Sequence, residues 1–283
     1  MRAGNSRPGG EEMLTIQEML SYPFLVRALL GGVMVSLCAA LLGVSLVLKR
    51  YSMIGDGLSH VSFGALSVAV AVGWQPLKVS VPVVTLAAFW LLRLTENSRI
   101  RSDAAIAMIS ASALAAGIVV TSLTTGMTTD VSSYMFGSIL AMSREDVILS
   151  AVLSAFVLGL FVLCYHKLFA ITFDESFAKA TGIRVGFYNT LIAILTAVTI
   201  VLGMRMMGAM LISSLVIFPA LTAMRLFKSF RGVVMCSGIL SAVCFCIGIV
   251  ASYVLSTPAG ASVVLVNLAM YGLFSLAAHV HGR

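Results

Sequence analysis

An all-α bundle of membrane-spanning helices is the fold class this sequence predicts, and three observations carry the prediction. Hydrophobic residues fill 60% of the 283 positions and charged residues only 10%, too little charge to cover a soluble domain of this size. Mean hydropathy is +1.06. Apolar runs long enough for about 30 Å of hydrocarbon return along the whole length, parted by short polar stretches.

The first 22 residues read as a separate polar segment, with Arg2, Arg7, Glu11, Glu12 and Glu18. They lack the basic start and short apolar core of a cleavable signal, so targeting is expected from the first span. Met13 is an alternative start to Met1. Residues 23–283 form one transmembrane domain. Its first run, 28–48, is uninterrupted and closes with Lys49-Arg50. The second, 58–74, carries His60 as its one ionisable group and ends at Trp74, a side chain suited to the membrane interface. Pro76 then breaks the chain before a third run at 79–92. After a polar loop comes 104–123, rich in alanine. Small residues let helices approach closely, which predicts a helix buried in the bundle.

Residues 124–146 are less hydrophobic and hold an apolar piece at 134–140 too short to span, read as a partial or re-entrant helix. Runs follow at 147–165, 187–204, 208–224, 232–255 and 258–278, with a polar segment at 166–186. The total is nine spans, or eight if Arg205 marks no boundary.

Loop charge fixes the expected sidedness. With nine spans, one side holds Lys49, Arg50, Arg93, Arg99, Arg101, Lys167, Lys179, Arg184, Arg225, Lys228, Arg231 and Arg283. The other holds Arg2, Arg7, Arg27, Lys78, Arg144 and Arg205. The richer side is cytoplasmic by the positive-inside rule, with the N-terminus outside and the C-terminus inside. The net charge of +7 is therefore accounted for by topology; a nucleic-acid partner would show a basic stripe in polar surroundings. Five cysteines, all in or beside apolar runs, form no disulfide framework and read as small buried hydrophobes.

Several chemistries are excluded. The chain has no G-x-x-x-x-G-K-[ST] phosphate loop and so does not itself hydrolyse ATP. It has neither an H-E-x-x-H pair nor a G-x-S-x-G elbow. It is not read as an enzyme, and no permanently bound cofactor is expected.

Two segments carry chemistry. Gly55-Asp56-Gly57-Leu58-Ser59-His60 sets a carboxylate and an imidazole at i and i+4, on one face at the mouth of an apolar span. Ionisable groups there are costly and mark function by default. Two readings stand on these residues alone: Asp56 and His60 grip a divalent cation, or Asp56 caps the helix and His60 bonds a neighbouring helix. The second segment, 172–182, reads as a short helix with a capping box from Thr172 to Glu175 and a stop at Gly182. Phe173, Phe177 and Ala180 share a face suited to the inner leaflet or to a partner protein.

Other candidates have simpler readings. Met204, Met206, Met207 and Met210 read as gap-filling core rather than thioether ligands. His279 and His281 read as a solvated tail. Asn189, Thr196 and Thr199 read as hydrogen-bonding groups between helices. Asp130, Glu145 and Asp146 form an acidic outer loop that suits a cation or a delivery protein.

Lys49-Arg50-Tyr51-Ser52-Met53-Ile54-Gly55-Asp56-Gly57-Leu58-Ser59-His60 resembles the R-R-x-S-x-x-G-D-A-L-S-H element of the zinc/manganese/iron ABC-importer permeases. Residues 173–182 are similar to that family's F-D-x-x-x-A-x-x-x-G cytoplasmic element. Phe136-Gly137-Ser138-Ile139-Leu140 resembles its F-G-x-x-L stretch, and 208–223 its G-x-x-L…P-A-x-x-A helix. Gly57 replaces the usual alanine, and Val61-Ser62 stands where alanine and proline are more frequent.

The resemblance implies a multi-pass permease subunit in the bacterial inner membrane. Asp56 and His60 would line the path of a transported zinc, manganese or iron ion, zinc favoured. Phe173, Asp174, Glu175, Phe177, Ala178 and Gly182, within a coupling loop at 166–186, would meet separate ATPase subunits. Two permease copies would form the pathway, and an extracytoplasmic metal-binding protein would deliver the ion. A permease for a metal chelate would have no need of Asp56 and His60 as ligands, and a stand-alone carrier often shows inverted repeats, of which none is clear here.

The sidedness is open to direct test. Single cysteines introduced near Ser6 and Gly282, in a background without native cysteines, should label from outside and inside respectively. Labelling of both from one side would mean an even number of spans.

Overall fold

The structure, a computed structural model, describes residues 23–97, 102–124 and 144–280. Ten α-helices run through them: α1 Pro23–Leu48, α2 Ile54–Val72, α3 Pro76–Asn97, α4 Ser102–Thr124, α5 Arg144–Phe173, α6 Glu175–Ala180, α7 Val185–Met207, α8 Ala209–Leu226, α9 Phe230–Leu255 and α10 Ala259–Val280. All but α3 and α6, eight in total, are long and apolar enough to cross a membrane. The partial helix expected at 134–140 lies outside the described residues, as do Asp130 and His281 and the side chains of Glu145 and Asp146.

The eight are counted by length and hydropathy alone, and the difference from nine does not arise at Arg205. Gly208, at φ 87°, separates α7 from α8 there, a conformation glycine adopts without steric penalty. Its N–H donates to the Met204 carbonyl at 2.9 Å and its own carbonyl accepts from the Ile212 N–H at 3.3 Å. The run that falls short is the third. Its apolar part is only Leu77–Leu91 and contains Pro82.

α1 is the centre of the bundle, packed against α5, α7, α8 and α9. Val35 and Leu42 of α1, Leu195 and Ile200 of α7, Leu211 and Leu215 of α8 and Phe245 of α9 are fully buried. Polar groups reinforce the contacts: the Ser241 hydroxyl donates to the Ser36 carbonyl at 2.9 Å, and Ser237 to that of Ala40 at 3.3 Å. All five cysteines are free; Cys38 and Cys244 are buried as expected, while Cys164, Cys236 and Cys246 are only half-buried. Met204, Met206 and Met207 are buried, with Met210 at the surface; Met206 fills space beside Gly31 and Met207 beside Gly32.

Three expectations are corrected. α4 is not buried within the chain: Ile106, Ala113 and Gly117 seat it closely on α2, while Ala104, Ala107, Ala111, Ala115 and Ala116 are exposed. Alanine marks a surface that permits close approach, not one already covered. α5 continues past 165 to Phe173, so the segment 166–186 begins as helix. Thr172 is not a cap, because it lies within α5 and its hydroxyl donates to the Leu168 carbonyl at 2.7 Å.

The closest helix approaches depend on glycine. A Cβ on Gly43 of α1 would lie 2.0 Å from the Val216 carbonyl oxygen of α8, and one on Gly248 of α9 would lie 2.5 Å from the Val263 Cα of α10. Backbone cannot yield as a side chain does. Gly43→Ala should therefore destabilise the protein by about 1–3 kcal/mol, the usual cost of overpacking. Gly159→Ala, with nothing within 4 Å, should be neutral. Thermal unfolding in detergent compares the two.

Candidate functional site

The site begins with the way α1 ends. The Tyr51 N–H reaches the Leu46 carbonyl at 2.8 Å and the Arg50 N–H that of Val47 at 3.1 Å, the paired bonds of a Schellman motif. Arg50 takes the left-handed position at φ 61°, where glycine is the usual occupant. The reversal lets α2 start at Ile54, with Met53 as N-cap and no side-chain cap bond. Asp56 is therefore not the cap. It lies in the first turn of α2, where a carboxylate suits the helix dipole.

That reversal buries Ile54 and Gly55 in the bundle and leaves Met53 exposed. Gly55 lies against Val216, the residue that meets Gly43. Gly43 stands six residues before Lys49, about 9 Å back along the helix at 1.5 Å per residue. Asp56 thus stands near the Gly43–Val216 crossing. Gly57 is explained as well: a Cβ there would lie 2.6 Å from the Ile106 methyl of α4, which occupies the space an alanine would use.

Asp56 and His60 share a face as the i, i+4 spacing predicts. Asp56 Oδ2 and His60 Nε2 are 3.7 Å apart, and the side chains are 48% and 22% exposed. The separation is too long for a hydrogen bond. Two donors on one tetrahedral ion at about 2.1 Å each stand roughly 3.4 Å apart, so a small side-chain adjustment brings this pair onto a shared cation. The Ser213 hydroxyl of α8 donates to Asp56 Oδ1 at 3.4 Å. Among the described residues no third His, Cys, Asp or Glu joins them. The arrangement is a half-open donor set of one nitrogen and several oxygens, able to hold a divalent cation weakly.

The second cluster is built on α6. Asp174 is its N-cap, with Oδ1 accepting from the Phe177 N–H at 2.9 Å. Gly182, at φ 82°, provides the stop. Ala178 is fully buried against Ile171 and Val185, while Phe173 and Phe177 are 57% and 61% exposed. Phe173 stacks with Phe169 and Phe230 at 5.0 and 5.9 Å between ring centres. The sequence-predicted residues therefore divide. Ala178 and Glu175 tie the segment to the protein, and the two phenylalanines present an apolar surface.

Glu175 accepts from Lys49 Nζ at 2.7 Å, and the Lys49 side chain is only 7% exposed. Lys49 Nζ also donates to Asn189 Oδ1 at 2.6 Å, and Asn189 Nδ2 to Glu175 Oε1 at 3.2 Å. Partial burial pushes the Glu175 carboxyl up, but the bonds from Lys49 and Asn189 outweigh it and hold the group below its ordinary value. It stays ionised at neutral pH. Asn189 bonds across elements, as expected of it. Thr199 instead bonds within α7, to the Leu195 carbonyl at 2.8 Å. His279 is exposed in the last turn of α10.

Sequence reasoning missed Ser213 and the role of Lys49. Ser213-Ser214 in an apolar run was the signal for the first. Lys49 read simply as topology charge.

Comparison with known proteins agrees with this architecture. The ABC 3 transport family model matches residues 21–278. The high-affinity zinc uptake system membrane protein ZnuB of Haemophilus influenzae is 30% identical over 252 residues, covering 89% of this chain and 97% of that protein. The manganese transport system membrane protein MntC of Halalkalibacterium halodurans is 30% identical over 260 residues, covering 90% and 88%. Among solved structures, PsaBC from Streptococcus pneumoniae in complex with Fab superposes with a TM-score of 0.83 at 29% identity, covering 93% of this chain and 94% of that one. With a family match over nearly its whole length and eight membrane-length helices, this chain belongs to the ABC 3 transport family as a multi-pass membrane protein.

Proposed function

We propose that the chain is the permease subunit of an ABC importer for a divalent transition metal in the bacterial cell membrane, zinc before manganese or iron. The reading rests on one observation above others: Asp56 and His60 stand 3.7 Å apart on one face of α2, beside Ser213 and near the Gly43–Val216 crossing. A carboxylate 48% exposed there is ill-suited to lipid and suits the wall of a path. An imidazole with oxygen donors serves zinc and manganese alike, and similar proteins are named for each metal. Few donors hold a cargo loosely, as conduction requires. A second copy of the chain across the path would double the donors to a number usual for zinc.

The energy source is a separate ATPase, since the chain has no phosphate loop. Phe173 and Phe177 give it an apolar seat, with Asp174 and Gly182 fixing the ends of α6. An extracytoplasmic binding protein would deliver the ion. ATP binding to the partner would then favour one of two permease states, which is what alternating access requires.

Because Met53 and not Asp56 stands at the cap, Asp56→Asn leaves the start of α2 intact and removes only the anionic donor. It and His60→Ala should each lower zinc or manganese uptake more than tenfold in membranes with matched permease levels. Normal uptake by both variants would refute the metal path. Competition among zinc, manganese and iron in the same assay ranks the cargo.

Docking has its own test. Phe177→Asp sets a charge against an apolar partner surface, which is costly. Copurification of the ATPase should fall at least tenfold while the permease reaches the membrane normally. Undiminished copurification would return α6 to the inner leaflet.

A further inference from the structure

We infer that Lys49, gripped between Glu175 and Asn189, is the positioning residue through which α6 sets the place of Asp56 and His60. The inference rests on the transport reading above and adds the connection between its two ends.

Lys49 belongs to three elements at once. It closes α1, its ammonium bonds Glu175 at 2.7 Å at the start of α6, and it bonds Asn189 at 2.6 Å in the first turns of α7. Its side chain is 7% exposed and Asn189 is 6% exposed. An ammonium so enclosed is costly to leave unpaired, so when α6 shifts, Lys49 follows it. Next in the chain come the left-handed Arg50 and the turn into α2. Asp56 is seven residues beyond Lys49, in the first turn of the helix that the reversal launches.

A cavity of about 20 Å³ lies behind the Lys49–Asn189 bond, bounded by Leu46, Tyr51, Ile54 and Thr196 among others. A void of that size is no larger than about one water, so the turn packs against α7 about as closely as interiors usually do. On the far side α1 is held close to α8, because a Cβ on Gly43 would lie 2.0 Å from the Val216 carbonyl oxygen. The link from Lys49 to the donors is short, running through Arg50 and the turn to Gly55. The Asp56–Ser213 contact, at 3.4 Å, lies where it ends, so a displacement of the turn changes the donor set around the cation.

The test uses the complete transporter, permease with its ATPase and delivery protein, in proteoliposomes, with zinc uptake and ATP hydrolysis measured together. Complexes carrying Lys49→Met or Glu175→Gln should continue to hydrolyse ATP, with uptake and hydrolysis both counted per copurified ATPase. Zinc carried per ATP should fall at least fivefold. Glu175→Gln matters most, since it keeps the size and the acceptor oxygen of an exposed residue and does not threaten folding. The charge-exchanged pair, Lys49→Glu with Glu175→Lys, should recover at least half of the lost ratio. An unchanged ratio in both single variants would overturn the inference. So would uptake and hydrolysis falling in parallel with thermal stability, the mark of a merely structural bond. Absence of ATP-driven uptake by the unaltered transporter would instead overturn the transport reading itself.

Discussion

Val216 is the point at which three helices of this bundle find their relative positions. Its backbone carbonyl fills the place a side chain would take on Gly43, and a Cβ added to Gly55 would stand 3.8 Å from its side chain. α1 and α8 therefore cross as closely as backbones can, and the start of α2 is drawn in beside them. Ser213, one turn before Val216 on α8, is thereby brought to Asp56. In hydrocarbon, helix association depends on such close packing and on polar contacts, because lipid is as apolar as the side chains. The serine bonds from α9 to Ser36 and Ala40 of α1 serve the same end.

Much of this was legible in the sequence. Hydropathy alone marks the runs that become the membrane-length helices, since a chain must satisfy its backbone internally to cross lipid. The spacing of Asp56 and His60 is local, and a helix turns local spacing into geometry. What escaped was of two kinds. α4 was expected to be buried because alanine and glycine permit close packing, yet composition does not say which face is taken; Gly117 meets α2 while Ala111 and Ala115 remain exposed. Thr172 and Asp174 are both good caps, and the choice between them went to α5, which runs on through Thr172 and leaves Asp174 as the first residue free of it.

Long-range contacts formed the other kind. Lys49 and Glu175 are 126 residues apart, and Asp56 and Ser213 157; no periodicity announces either. Lys49 also illustrates how one residue satisfies two demands. As a cation at a helix end it suits the positive-inside pattern and the negative end of the α1 dipole. As a buried ammonium it needs partners, and Glu175 and Asn189 supply them. A reading that explains the charge by the first demand has no reason to look for the second.

The weakness of the donor set is itself informative about how transport would work. Asp56 and His60 are partly exposed and 3.7 Å apart, so on the proposed function one chain would offer a cation only a loose seat. A carrier gains selectivity when the donors close around the ion in one state and part in the other, and the difference in affinity bounds how far the equilibrium shifts. A change of tenfold in affinity corresponds to about 1.4 kcal/mol, well within what rearranging a charged hydrogen bond can supply. A short segment displaced by a small distance therefore suffices, and no large distortion of the bundle is required. On the proposed function, the close crossing of α1 and α8 at Val216 and the short link from Lys49 to Asp56 are what would carry such a displacement to the donors.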